Sequence, residues 1–272
     1  MAETTPKMSF ATIERRPVPV YIGPTRSWRG SMGARMDQQA HSLDNPIWTA
    51  LVTEQAHLGT GEHLARRYQP DVAPFAAMAS DDSPEAWAAL AQLLPPGEQV
   101  ALLSFYPLKP PARLRANPVG VIHQMVATRR GPCVADTADM VALTAADAAE
   151  MQALAAKTKP GPFCPRTHEM GRYIGIRWQG RLVAMAGERM RPAGHIEISA
   201  VCVDEQWRGK GLAQRLVQNL QARIWRQGQS PFLHVLGQNA GAIALYERLG
   251  FRLRQRFHLT MMERASIDGD QN

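Results

Sequence analysis

Glu197 stands on a β-type run that ends in the basic turn Arg208-Gly209-Lys210-Gly211, and an amphipathic helix opens at Leu212 and Ala213. The first N–H groups of a helix lack internal partners and carry the positive end of the macrodipole, so an anion placed there meets donors and charge together. Gly209 and Gly211 let the chain bend tightly and let a bulky phosphate approach the backbone. Arg208 and Lys210 add charge beside it. Leu212, Leu216, Leu220 and Ile224 recur every four residues, which marks the helix. The turn lacks the Gly-Lys-Ser/Thr of a Walker A loop. It also lacks the third glycine of a dinucleotide fingerprint, because Gln214 stands there. Two glycines alone are as readily an ordinary turn.

The elements that must position this turn are legible on either side. Residues 1–40 hold prolines, glycines and arginines without periodicity and are expected to be a disordered extension. Residues 41–130 read as a first α/β unit. Asn45-Pro46 starts one helix, and Ser83 with Pro84 starts another that runs to Leu94. Strands follow at 100–105 and 119–128. The second unit spans 133–264, with a tail at 265–272. Thr144 caps a helix reaching about residue 156, and 173–178 and 182–189 form a hairpin about Gln179-Gly180. A strand at 195–203, the turn, the long helix, a strand at 232–236, a helix at 240–249 and a strand at 251–261 complete it. This order implies an α/β fold with a twisted mixed sheet flanked by helices. The first unit is expected to be a smaller, degenerate copy of the second.

Gln206, Gly209, Gly211 and Ala213 are spaced as in the coenzyme A loop of the GNAT superfamily of N-acetyltransferases, which this stretch resembles. A second block, Asn239-Ala240-Gly241-Ala242-Ile243-Ala244-Leu245-Tyr246 with Gly250-Phe251, is similar to the superfamily's later signature. The likeness covers roughly residues 135–262 and in detail is nearest to the glycine N-acyltransferase-like branch. It implies acetyl-CoA as cosubstrate, with Val201, Cys202, Val203, Arg208, Gly209, Lys210, Gly211, Leu212, Ala213, Asn239 and Tyr246 along it. It also implies Tyr246 as the acid for the leaving thiolate and a glutamate on the strand before the loop as base.

The chemistry of acyl transfer to an amine defines what else is needed. A lysine-like amine is neutral to roughly one part in a thousand at pH 7.4, whereas an α-amine is neutral to tens of percent. A base therefore matters more for the first. Glu197 is the expected base. On a regular strand Glu197, Ser199, Val201 and Val203 share one face. A structural salt bridge is the competing role for Glu197, amphipathic packing that for Tyr246, and helix capping that for Asn239. Glu188 is the second candidate base. His195 fits a hairpin end better. Cys202 points away from Val201 and Val203 and suits a small buried apolar role. Phe163, Arg166, His168 and Glu188 are expected to shape the acceptor pocket, with Arg166 able to grip a substrate carboxylate bidentately or simply to sit on the surface.

Bulk properties bound the reading. The chain has 272 residues, 45% of them hydrophobic, and a formal charge of +7. That supplies a core, and the spread of basic residues gives no expectation of nucleic acid. No run is long enough to span a membrane, and no signal-peptide pattern is visible. Cys133, Cys164 and Cys202 are scattered, which suggests a reducing, cytoplasmic setting. No Cys/His spacing suggests a metal. The expectation is an acyl-CoA-dependent N-acyltransferase that moves acetyl directly to the primary amine of a small molecule or amino acid, with a homodimer as the candidate assembly. A non-catalytic acyl-CoA sensor and a protein-lysine acetyltransferase are the alternatives.

Overall fold

The computed structural model describes residues 41–129 and 137–265. The expected extension at 1–40, Cys133 and the tail beyond 265 lie outside the described residues. In chain order the elements are α1 (Pro46–Val52), β1 (Gly59–Gly61), β2 (Ala65–Tyr68), β3 (Ala76–Met78), α2 (Pro84–Leu93), β4 (Gln99–Ser104), β5 (Leu114–Ala127), β6 (Met140–Leu143), α3 (Ala148–Thr158), β7 (Tyr173–Trp178), β8 (Arg181–Glu188), β9 (His195–Val203), α4 (Leu212–Arg226), β10 (Ser230–Leu236), α5 (Ala240–Arg248) and β11 (Phe251–Arg264).

Local chemistry sets most of these limits. The Asn45 side chain accepts from the Trp48 amide and Ser83 from the Ala86 amide, so α1 and α2 begin where capping residues stand. Thr144 and Asp147 cap each other's backbone. A short 3₁₀ turn then intervenes, so α3 starts at Ala148 rather than Ala145. Gln179 and Gly180 both adopt positive φ, 47° and 81°, which matches the two-residue hairpin between β7 and β8.

The main sheet has eight strands in the order β4-β11-β5-β10-β9-β8-β7-β6, and β1–β3 form a small antiparallel sheet. Strand β5 pairs with both β10 and β11. The boundary expected near residue 130 therefore runs through one sheet. Residues 41–130 are not a free-standing copy, because two of their strands complete the sheet that carries the turn. The sequence pattern missed this because pairing partners far apart in the chain leave no local mark.

Helices cover the sheet on both faces. Leu216, Val217, Leu220 and Ile224 of α4 are fully buried with Ile196, Ile198, Leu233 and Val235 in one cluster. Each such side chain contributes roughly 1.5–3 kcal/mol by burial. On the opposite face α3 packs Met151, Leu154 and Ala155 against Ala200 and Cys202. Beside it α1 packs Ile47 and Leu51 with Phe232 and Met190. The sheet is thus sandwiched where β8, β9 and β10 run side by side.

Candidate functional site

At the end of β9, Asp204 is gripped by Lys157 and Arg181, each at 2.9 Å, and its other oxygen accepts from the Gln206 amide. This clamp fixes where the turn begins. Gly209 and Gly211 follow at φ 77° and 75°. A Cβ at either would meet no atom within 4 Å, so the concavity beside them is open. Gly211 is the N-cap of α4 and offers no side-chain cap, which leaves the first-turn amides of Leu212 and Ala213 facing that space. Arg208 and Lys210 are exposed, and the Lys210 ammonium sits 4.1 Å from the centre of the Trp207 ring. The arrangement fits a pyrophosphate in donors, charge and room.

A cleft leads inward from the turn. β9 and β10 are parallel, and they pair only at Ser230 with His195, Pro231 with Ile196 and Phe232 with Glu197. Beyond that pair the two strands part. Residues 198–203 and 233–236 then face one another as unpaired strand edges, which must find other hydrogen-bonding partners. The strand also carries a bulge. Gly187 pairs with Ser199 and Met185 with Cys202, so Ala186 faces two residues, and Ala200 stands at φ 50°.

The bulge corrects one expectation. Glu197 and Val201 do not share a face. Val201 and Val203 pack with Ile196 and Ile198 on the α4 side, because the extra residue reverses the alternation. Cys202 does point away from them. Its thiol is buried against α3, bonds the Ala200 carbonyl, and is pushed up to about 12 by burial. Its side chain cannot reach the cleft.

Glu197 is wholly buried at the apex of the cleft. Arg189 donates to both its oxygens, Nη2 to Oε1 at 2.6 Å and Nε to Oε2 at 2.8 Å, and His234 Nδ1 lies 2.8 Å from Oε1. Burial opposes ionisation, yet the Arg189 charge and these hydrogen bonds prevail and hold the carboxyl well below the usual range. A carboxylate so stabilised is a poor proton acceptor, so the structure overturns Glu197 as the direct base. Glu188 is likewise buried, between Arg191 at 3.2 Å and Arg223 at 3.4 Å.

Tyr246 comes from α5 and packs edge-on against Phe251, ring centres 6.0 Å apart. Burial pushes its phenol up to about 12, so it stays protonated at neutral pH. Asn239 caps α5 by accepting from the Ala242 amide at 3.1 Å, which leaves its amide N–H groups for other partners.

The expected acceptor residues are placed otherwise. Phe163 is buried edge-on against Tyr173 in the α3 cluster. Arg166 is already engaged by Glu169, Asp71 and Gln69, so it ties the segment after α3 to the loop after β2 and is not free to grip a carboxylate. His168 bonds the neighbouring Pro165 carbonyl at 3.2 Å. His234, which does meet Glu197, carried no motif. His234 lies 37 residues from Glu197 and meets it only across the β9–β10 pairing. Among the described residues no cluster of His, Cys, Asp or Glu could hold a metal ion, and no helix is long and apolar enough to cross a membrane.

Known proteins share this architecture. The family model described as FR47-like protein matches residues 173–259. The N-alpha-acetyltransferase RimI of Mycobacterium tuberculosis is 34% identical over 131 residues, covering 43% of this chain and 82% of its own length. A solved GNAT-family structure from Novosphingobium aromaticivorans is 40% identical, with a TM-score of 0.77 over 83% of this chain and all of its own. The fold, at 16% identity, is also that of a GCN5-related N-acetyltransferase from Kribbella flavida, with a TM-score of 0.57 over 86% of this chain and 99% of the other.

Proposed function

The chain belongs to the GNAT family of acetyltransferases, and from that premise we propose that it transfers acetyl from acetyl-CoA to the α-amine of an amino acid or peptide. The observation that carries this reading is the parting of β9 and β10 directly upstream of the open glycine turn. The relative named N-alpha-acetyltransferase supports an α-amine over a lysine side chain, and supports acetyl over the longer acyl groups suggested by the glycine N-acyltransferase-like details.

The chain's groups take distinct parts. The amides at the start of α4, with Arg208 and Lys210, hold the pyrophosphate of the cosubstrate. Unpaired edges of β9 and β10, at Val201 and Val203 on one side, bind the amide-bearing arm and offer donors to the carbonyl oxygen as it gains charge. The Asn239 side chain bonds the same arm. The neutral amine nitrogen forms its bond to the thioester carbon as the carbon–sulfur bond breaks, and its surplus proton passes to water. Tyr246, still protonated, donates to the departing sulfur.

The test is turnover. Purified protein is given acetyl-CoA with alanine-led peptides, free amino acids and a lysine-only peptide blocked at its N-terminus, and coenzyme A release is followed. α-Amine acetylation with a rate that collapses in Tyr246→Phe supports the reading. Tight acetyl-CoA binding with no turnover on any amine contradicts it and favours the acyl-CoA sensor.

A further inference from the structure

We propose that the groove between β3 and β4 is a second binding site, and that it takes the arginine side chain of a peptide. The order of the elements points there first. The series α1-β1-β2-β3-α2-β4-β5 recurs as α3-β7-β8-β9-α4-β10-β11, with α5 added before the last strand. In the main sheet the last strands are exchanged: β5 lies beside β10, and β11 lies beside β4. Strands β3 and β4 therefore stand where β9 and β10 stand in the second series.

Like β9 and β10, they are parallel, meet briefly and part. They meet at one bridge, Phe75 with Ala101, where the Ala101 amide donates to the Pro74 carbonyl at 2.7 Å. Beyond it the two strands belong to different sheets. Strand alternation turns the Leu103 amide and carbonyl to the same side as those of Ala101, toward the gap. The gap is a cavity of about 150 Å³ whose walls include Met78, Leu102, Leu103, Phe105 and Asp81.

The approach to the two helices differs, and that difference selects the ligand. Before α4 stands the basic glycine turn. Before α2 stand Asp81, Asp82, Ser83 and Pro84, with Glu85 in the first turn. Ser83 already caps the Ala86 amide, and Pro84 has no N–H to offer. Asp81 and Asp82 are exposed, and neither makes an ion pair among the described residues. This mouth repels phosphate and favours a cation.

Size and shape narrow the choice. Pockets that hold whole small-molecule ligands begin at roughly 300 Å³, so this cavity suits one long side chain and not a coenzyme. Phe105 is 42% exposed and stacks on Phe257 with ring centres 5.1 Å apart, which leaves its other face for a planar cation. A guanidinium stacks on such a ring while its N–H fork meets a carboxylate. Asp81 supplies that carboxylate, because Asp44, also in the wall, is held by Arg254. The peptide amides beside the arginine find the free edge at Leu103.

The experiment titrates the isotope-labelled full chain with N-acetyl-arginine amide, whose blocked amine cannot be acetylated. Amide NMR shifts are expected at residues 77–81 and 102–105, unaltered by saturating acetyl-CoA. N-acetyl-citrulline amide, of the same length but uncharged, should bind about tenfold more weakly. Asp81→Asn and Phe105→Ala, both at exposed side chains, should each weaken the arginine probe about threefold and leave the acetyl-CoA Kd within twofold. No shift in these two segments, equal binding of the neutral probe, or unchanged binding in both variants overturns the site. So does displacement of the probe by acetyl-CoA, which would place it in the β9–β10 cleft. The probe takes no part in acetyl transfer, so a wild type that acetylates no amine leaves this result standing.

Discussion

At its C-terminal end β9 runs into a turn where Gly209 and Gly211 border open space and Arg208 and Lys210 are exposed. Earlier on the same strand Glu197 is sealed, with every oxygen taken by Arg189 and His234. One end keeps its donors unspent for an anion that must come and go. The other uses all its acceptors to hold side chains in place. Binding capacity lies where partners are missing, and a charged residue that has found all its partners is scaffold.

Removing one partner from the sealed end is expected to have the largest effect. Arg189→Ala leaves a carboxylate buried and uncompensated, and should cost about 3–5 kcal/mol in urea unfolding. The same pair gives a pH signature. The folded pKa of Glu197 is lowered from 4.5, so its stabilisation is present above that value and is lost as pH falls through the folded value. Wild-type stability should fall more steeply below pH 4.5 than that of Glu197→Gln.

Next in size is Tyr246→Phe, which should lower kcat by about 10²-fold, or about 2.7 kcal/mol, at unchanged acetyl-CoA affinity. Gly211→Ala perturbs the open end. A side chain at φ 75° costs roughly 1–2 kcal/mol of stability, and its methyl group should weaken acetyl-CoA binding about tenfold, roughly 1.4 kcal/mol by calorimetry. The smallest effect is expected at Arg166→Ala. Its half-exposed ion pairs should contribute under about 1 kcal/mol, and kcat and the peptide KM should not move. A raised KM there would return Arg166 to the acceptor pocket.

The same contrast explains what could be read in the chain. The turn, its helix and the Asn239–Tyr246 helix are built from residues near in sequence, so spacing and capping reveal them. The caps at Asn45, Ser83 and Thr144 and the hairpin at Gln179-Gly180 were legible for the same reason. Three features were not. The bulge at Ala200 reversed the faces of Val201 and Val203, because strand alternation says nothing of an inserted residue. Strand β5 joined the main sheet through pairings more than 100 residues away in the chain. Glu197 meets Arg189 across the β8–β9 connection and His234 across the β9–β10 pairing, and His234 in turn meets Gln124, contacts that no motif marks. A carboxylate's role depends on neighbours that composition and motif do not name.

The central claim is that the parted edges of β9 and β10 receive the cosubstrate. Amide hydrogen exchange with and without acetyl-CoA tests it directly. The account predicts that binding slows exchange at residues 198–203, at 233–236 and at the first turn of α4, and leaves β4 and β11 unchanged. Binding that protects none of these three segments would contradict it.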